Sequence, residues 1–176
     1  MEIRWLIRRD MESVLAIEND SFEYPWSEED FLTMLRTRNC IGMVAMSPYK
    51  SEEEPGEVIG YMIYELHKGY IGMHNFAVSR EHRREGVGTA LIEKLTGKLS
   101  FERRTALTLE VQEENLTAQQ FFRSQGFKAT EVLYGHYEEP VKNAYAMRYD
   151  LKADTDTLPT YKGNRIKKFL PKEAGE

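Results

Sequence analysis

The feature that most constrains this chain is the peptide REHRREGVGTAL at residues 80–91, between an apolar strand-like run and an aliphatic helix-like run. Gly86 and Gly88 fall where the pattern changes from strand to helix. A helix that begins in a glycine-rich loop presents several unpaired backbone N–H groups, with the positive end of the helix dipole behind them. The peptide therefore predicts a strand-loop-helix unit that binds an anion such as a phosphate or pyrophosphate.

The spacing of this peptide differs from that of the two common nucleotide-binding loops. The NTPase loop needs a lysine after its second glycine, and the dinucleotide loop needs a third glycine. Here Thr89 and Ala90 follow Gly88. What remains is the pattern Arg-x-x-Gly-x-Gly, formed by Arg83, Gly86 and Gly88. The alternative interpretation is an ordinary strand-to-helix turn with solvated arginines.

The hydrophobic periodicity predicts the element order β-α-α-β-β-β-α-β-α-β-β, with residues 3–9 as the first strand. Ser27 and Asn115 stand where side-chain caps would begin two of the helices. This order indicates an α/β (α+β) fold, a mixed sheet with helices on its faces, in one domain over residues 1–151. Residues 152–176 carry few core residues, and we expect them to form a peripheral or disordered tail.

The peptide TALTLEV gives the clearest strand signal. Its alternation places Leu107, Leu109 and Val111 on one face of a strand. Thr108 and Glu110 share the other face. Glu110 is therefore predicted to project away from the apolar core.

The composition narrows the class of protein. The formal net charge is −5 and the isoelectric point is near 5.5, so we expect no nucleic-acid partner. The apolar runs are too short to cross a bilayer, and Glu2 follows Met1 without a signal sequence, so we expect a cytoplasmic protein with no membrane partner. The single cysteine, Cys40, excludes an internal disulfide. The four histidines show no pair at ligand spacing, so no metal is expected.

The glycine-arginine peptide resembles the acetyl-CoA pyrophosphate loop of the GNAT superfamily of N-acetyltransferases. The peptides NFAVS (75–79) and LEVQEENLTAQQFFRSQGF (109–127) resemble the strand before that loop and the strand-helix unit after it. Ribosomal-protein-alanine N-acetyltransferases and archaeal N-terminal acetyltransferases are similar in three segments, which are YPWSEEDF (24–31), LEV-x-x-x-N (109–115) and LYGHY…AYAM (133–147). The resemblance covers residues 3–150 and implies a mostly antiparallel sheet of about six or seven strands with helices on both faces.

The resemblance also implies a binding site for acetyl-CoA as the acyl donor. One strand would contact the pantetheine arm through its backbone, and the loop with the first turn of the next helix would hold the pyrophosphate. A helix-capping asparagine would bind near the thiol. By position, the strand residues are Phe76, Ala77 and Val78. The pyrophosphate residues are Arg83, Arg84, Glu85, Gly86, Val87, Gly88 and Thr89. The asparagine is Asn115, and Phe122 would lie beside the cofactor. Glu110, the glutamate of LEV, would be the general base.

One position departs from the pattern of these relatives. They carry a tyrosine as general acid where this chain has Phe122, which has no proton to donate. The thiolate could leave unaided, because a thiol of pKa about 8.5 is a tolerable leaving group near neutrality. Alternatively Tyr134, His136 or Tyr137 supplies the proton, and we take Tyr137 as the catalytic candidate among them. The third alternative is a protein that binds acetyl-CoA and does little chemistry.

The acceptor is expected to be an amine that attacks the thioester directly. An α-amino group of pKa about 7.7–8.0 needs roughly 1–1.4 kcal/mol for deprotonation near neutrality, whereas a lysine at about 10.4 needs more than about 4 kcal/mol. A protein N-terminus is therefore favoured, and a small-molecule amine is the alternative. Tyr24, Pro25 and Trp26, with Tyr134, would hold the acceptor; alternatively the first three form a rigid loop packed on the core. We expect a monomer or a homodimer.

Overall fold

The structure, a computed structural model, describes residues 1–48, 56–138 and 141–152. Its strands are β1 (Glu2–Trp5), β2 (Cys40–Met46), β3 (Val58–Leu66), β4 (Tyr70–Val78), β5 (Ala106–Gln112), β6 (Lys128–Glu138) and β7 (Val141–Asp150). Its helices are α1 (Met11–Ser21), α2 (Glu28–Arg36), α3 (Val87–Thr96) and α4 (Leu116–Ser124), with short 3₁₀ turns at Arg8–Asp10 and Arg80–His82. The predicted order of strands and α-helices is confirmed.

In the described ranges the strands form one seven-stranded sheet, in the order β1-β2-β3-β4-β5-β7-β6. β4 and β5 are parallel, and every other neighbouring pair is antiparallel. The parallel pair needs a crossover connection, which α3 provides. The expected fold class, a mostly antiparallel mixed sheet with helices on both faces, is confirmed.

Alternating side chains give the sheet two apolar faces, each covered by two helices. The core between the sheet and the helices α3 and α4 combines Leu91 and Leu95 of α3 with Leu107, Leu109 and Val111 of β5. On the opposite face of the sheet, which we call the α1/α2 face, Tyr61 and Ile63 of β3 pack with Val14 of α1 and Phe31 of α2. Glu110 is exposed while Leu109 and Val111 on either side of it are buried, which confirms the predicted alternation of β5.

β4 and β5 pair at one end only. Their ladder joins residues 70–72 to residues 106–108, although both strands continue well beyond it. β5 goes on to pair with β7, and β4 goes on to pair with β3 through a β-bulge at His74. The two strands therefore separate beyond Gly72, and within the described residues the backbone edge of β4 that faces β5 has no ladder partner there.

Local capping begins the helices where the sequence indicated. Ser27 Oγ accepts a hydrogen bond from the Asp30 N–H at 3.2 Å, and the Asp30 carboxylate accepts one from the Ser27 N–H at 2.8 Å. Asn115 Oδ1 accepts a hydrogen bond from the N–H of Ala118 at 3.0 Å. Gly126 follows α4 with a φ of 90°, a conformation that favours glycine.

The first strand is shorter than predicted. β1 ends at Trp5, because the carboxylate of Asp10 accepts a hydrogen bond from the N–H of Ile7 at 2.9 Å and folds the chain into a 3₁₀ turn. The same carboxylate accepts two hydrogen bonds from the guanidinium of Arg4, at 2.7 and 2.8 Å. This bidentate pair lowers the pKa of Asp10, chiefly through the hydrogen bonds from Arg4.

The tail from residue 153 onward and the side chains of His136 and Tyr137 lie outside the described residues, so the expectations about them are not tested. β7 ends at Asp150, and the domain boundary at residue 151 stays a prediction. Within the part of the chain that the structure describes, no helix is both long and apolar enough to cross a membrane.

Candidate active site

The start of α3 forms an open backbone cradle. Gly86, which precedes the helix, adopts the left-handed conformation with φ 84°, and Arg84 adopts it with φ 68°. Gly86 has no side chain to cap the helix, and no side-chain cap is found here among the residues that the structure describes, so a ligand can accept from the first N–H groups of the helix. A Cβ on Gly86 would meet no atom within 4 Å, so the space before the loop is open. This is the geometry of an anion-binding helix N-terminus.

Gly88 is required by the packing behind the cradle. A Cβ at this position would lie 3.0 Å from Cζ of Phe121 and 3.4 Å from Cζ of Phe76. These two rings are stacked with their centroids 5.8 Å apart. The first turn of α3 therefore rests directly on an aromatic pair that joins β4 to α4, and this contact sets the position of the cradle.

The other residues of the loop contribute in different ways. The guanidinium of Arg83 donates hydrogen bonds to the carbonyl of Val78 and to Ser21 Oγ, both at 3.0 Å, so it ties the loop to β4 and α1. Val87 is buried, so only its backbone can face the cradle. Arg84 and Glu85 are exposed at the rim. Backbone groups therefore form the centre of the cradle, and charged side chains surround it.

The predicted pantetheine strand lies on the separated part of β4. Phe76, Ala77 and Val78 pair with Met62, Tyr61 and Gly60 of β3. Their other backbone edge faces the opening between β4 and β5. Backbone N–H groups on such an edge can stabilise the oxyanion that develops when an acyl carbon is attacked.

Glu110 stands on the opposite wall of this opening. It pairs with Ala146 of β7, its side chain is exposed, and it shares the α1/α2 face with Thr108. Asn115, just beyond β5, is held at the start of α4 by its cap to Ala118. Because β4 and β5 are parallel, their carboxyl ends meet at the same edge of the sheet as the cradle. The structure thus brings the predicted base, backbone edge and anion site together.

Phe122 is buried at 5% exposure, within a group of aromatic rings. Its centroid lies between 5.1 and 5.7 Å from those of Phe76, Phe121 and Phe127. Tyr134 on β6 is 82% exposed. Tyr137 also belongs to β6, but its side chain lies outside the described residues, so its role as general acid stays a prediction.

A buried carboxylate that the sequence did not single out supports the turn formed by residues 24–26. Glu18 is 1% exposed, and its Oε1 accepts a hydrogen bond from the N–H of Trp26 at 2.7 Å. The same carboxylate accepts from the hydroxyl of Tyr61 and from Asn75 Nδ2, the latter at 3.2 Å. Burial and the Glu18 charge raise the pKa of Tyr61, so its hydroxyl stays protonated. This network fixes the turn relative to β4.

A second connection joins the same turn to β7. Lys142 Nζ lies 2.9 Å from a carboxylate oxygen of Glu114 and 3.4 Å from one of Glu23, which adjoins the turn. The hydrogen bond to Glu114 raises the pKa of Lys142. Asn143, the next residue, accepts a hydrogen bond from the N–H of Gly135 at 3.0 Å. Lys142 and Asn143 of β7 therefore connect the turn at residues 24–26 to the part of β6 that carries Tyr134.

The comparisons with known proteins agree with this geometry. The Acetyltransferase (GNAT) family pattern matches residues 5–127, more than half of the chain. An uncharacterized N-acetyltransferase of Methanocaldococcus jannaschii is 28% identical over 142 residues, covering 79% of this chain and 85% of that protein. The ribosomal protein bS18-alanine N-acetyltransferase of Escherichia coli is 25% identical over 128 residues, covering 73% of this chain and 81% of that protein.

Solved structures of such proteins share the fold. The crystal structure of the ribosomal-protein-S18-alanine N-acetyltransferase from Escherichia coli matches with a TM-score of 0.73 at 22% identity, covering 90% of this chain and 98% of that one. Arabidopsis thaliana NAA60 in complex with acetyl-CoA matches with a TM-score of 0.75 at 17% identity, covering 85% and 99%.

Together, the fold, the site and the family match define an acyltransferase. This chain belongs to the GNAT family and is an N-acetyltransferase that uses acetyl-CoA as its acyl donor. The resemblance drawn from the sequence is confirmed. The open cradle before α3 fits the diphosphate of this donor, because a Cβ on Gly86 would meet nothing within 4 Å and the glycine places no side chain between the ligand and the backbone.

Proposed function

We propose that this acetyltransferase modifies the α-amino group of a protein N-terminus. Two exposed tyrosines on separate elements carry the proposal: Tyr24 beside α1 is 59% exposed, and Tyr134 on β6 is 82% exposed. Exposed aromatic side chains on linked surface elements suit a peptide, whereas a small ligand is usually enclosed in a pocket. The Escherichia coli relative acts on an alanine of ribosomal protein bS18, which supports a protein acceptor.

The chemistry begins with removal of a proton from the acceptor. Glu110 accepts this proton, directly or through a water molecule, because its carboxylate is exposed on the face that carries the opening. An α-ammonium group near neutrality loses its proton for roughly 1–1.4 kcal/mol, which one carboxylate can support. A lysine side chain needs more than about 4 kcal/mol, so the same base serves it poorly.

The neutral amine then attacks the acyl carbon. Acetyl-CoA supplies the thioester, so a carbon–nitrogen bond forms and the carbon–sulfur bond breaks as the thiol leaves. The unpaired edge of β4 at residues 76–78 donates backbone N–H groups to the developing oxyanion. The strands on either side of the opening are each held by a neighbouring strand, since β4 is paired to β3 and β5 is paired to β7.

A panel of acceptors tests the proposal. Peptides with free α-amino groups should stimulate thiol release from acetyl-CoA more than polyamines or amino sugars do. Glu110→Gln should lower kcat by about 10²-fold or more and leave the dissociation constant for coenzyme A unchanged. Glu131→Gln, which changes an exposed carboxylate on β6, is the matched control and should retain full activity.

Phe122 favours a second candidate function, an acyl-CoA-binding module with weak catalysis, because the buried ring cannot act as an acid. Tight binding of coenzyme A, with no amine able to stimulate thiol release, would support the binding module. If a small amine reacts faster than every peptide, the protein is an acetyltransferase but its acceptor is not a protein N-terminus.

A further inference from the structure

Glu65, His67 and His74 form a cluster that the proposed acetyl transfer does not use. Glu65 Oε2 lies 3.2 Å from His74 Nε2 and 3.5 Å from His67 Nε2. The three potential ligand atoms all lie within 4.8 Å of one another. The residues come from the end of β3, the following turn and the bulge of β4, so the folded hairpin assembles them. We propose that this cluster binds Zn²⁺ and that the bound ion inhibits acetyl transfer.

The two separations from Glu65 suit a tetrahedral ion. Two ligand atoms about 2.1 Å from Zn²⁺ at the tetrahedral angle lie about 3.4 Å apart. The observed 3.2 and 3.5 Å fall on either side of this value. The longer distance exceeds the range of about 2.7–3.2 Å for an N–H···O hydrogen bond, so His67 and Glu65 are in ion-pair contact at a spacing that leaves room for an ion between them. Two imidazoles and one carboxylate are an established zinc ligand set that leaves the fourth position open.

The surrounding residues hold His67 in position. Its ring stacks on Tyr70 with the centroids 4.3 Å apart and 17° between the ring planes. Its carbonyl accepts a hydrogen bond from Arg104 Nε at 2.6 Å. A Cβ on Gly72 would lie 3.3 Å from His67 Nε2, so the glycine makes room for the imidazole. A donor held in this way loses little freedom when the ion binds.

The cluster lies on the face that carries Glu110. The side of Gly72 that faces His67 also faces Thr108, whose Oγ1 would lie 3.8 Å from a Cβ there. Thr108 and Glu110 share this face of β5. The side chains of Glu65, His67 and His74 are 24%, 33% and 32% exposed, so an ion can enter from solvent.

A dication at this position would act on the acceptor. It would repel an approaching ammonium group and so weaken its binding, and it would attract the carboxylate of Glu110 and so make it a poorer base; both effects slow acetyl transfer. Acetyl transfer in this family needs no metal, and the ion therefore acts as an inhibitor. This inhibitory half rests on the proposed function, whereas the binding of the metal does not.

Direct binding tests the site without any assay of activity. The full chain should bind one Zn²⁺ by calorimetry and give the intense visible absorption of four-coordinate Co²⁺. His67→Ala and His74→Ala should each weaken binding by more than about tenfold, because even the loss of an outer-shell partner costs 10–100-fold. Glu65→Gln tests the carboxylate while preserving its shape. Lys68→Ala, an exposed change in the same turn, is the control and should bind like the wild type.

The inhibitory half is tested by acetylation of a peptide with and without Zn²⁺. The product should be measured by mass spectrometry, because the thiol of coenzyme A itself binds zinc. Wild-type activity should fall as the site fills, and His74→Ala should lose this sensitivity. Absence of Zn²⁺ binding, or equal binding by wild type and both histidine variants, would overturn the site. Binding of Zn²⁺ without any change in rate would overturn the inhibition. A protein that binds Zn²⁺ but acetylates no peptide even without the ion would leave the metal site standing and contradict the proposed function.

Discussion

The carboxylate of Glu18 and the N–H of Trp26 form a 2.7 Å hydrogen bond that joins helix α1 to the turn before α2. The same carboxylate accepts from Tyr61 and from Asn75, the residue of β4 that precedes the predicted pantetheine contacts at residues 76–78. The turn proposed to hold the acceptor is therefore attached to β4 through a single buried carboxylate.

Glu18→Gln should loosen this turn. An amide cannot accept all the hydrogen bonds that the carboxylate receives, so we expect a loss of about 1–3 kcal/mol in the free energy of unfolding. The KM for the peptide should rise while the affinity for coenzyme A is kept. Tyr61→Phe is the comparison, since it removes one donor and leaves the contact with Trp26. If both variants raised the KM equally, the turn would not be the relevant contact.

Gly88→Ala should weaken the binding of coenzyme A. The added Cβ would lie 3.0 Å from Phe121, so either the ring or the start of α3 must move. Calorimetry should show a dissociation constant higher by about tenfold, equivalent to about 1.4 kcal/mol. Gly69→Ala is the control, because a Cβ there would meet nothing within 4 Å. Equal affinities in the two variants would count against the cradle.

Phe122→Tyr should increase kcat if the ring position supplies the missing acid. We expect about a tenfold gain, below the usual 10²–10⁴-fold contribution of a general acid, because a thiol already leaves without much help. Phe127→Tyr places a hydroxyl on the neighbouring buried ring and should give no gain. A Phe122→Tyr enzyme no faster than wild type would point to another acid.

Asp10 should contribute to the acid sensitivity of the fold. Its pKa in the folded state is lowered by Arg4, so its contribution to stability is complete above the carboxyl group's ordinary pKa. That contribution disappears as the pH falls through the lowered folded-state value. Asp10→Asn should lower the Tm near neutrality and flatten its decline in this acidic range, as thermal melts at a series of pH values would show. Parallel curves for the two proteins would contradict the assignment.

The elements were predictable because their signals are local. The alternation of Leu107, Leu109 and Val111, the cap at Ser27 and the glycine-rich start of α3 each extend over a few residues. The forces behind them, side-chain periodicity and capping, act over the same distance. The end of β1 was predicted too late in the chain. The hydrogen bond from the N–H of Ile7 to the carboxylate of Asp10 outweighs the local preference for a strand, and the strand pattern gives no sign of this contact.

The sequence alone determined the order of the elements, the faces of β5, the glycine-rich start of α3 and the family resemblance, because each depends on neighbours along the chain. Only the tertiary structure decided that β4 and β5 separate beyond Gly72, that Glu18 supports Trp26, and that His67 and His74 meet at Glu65. The physical reason is that strand register and bulges bring together residues far apart in sequence. The two-residue period tells which face a side chain takes but not which partner it meets.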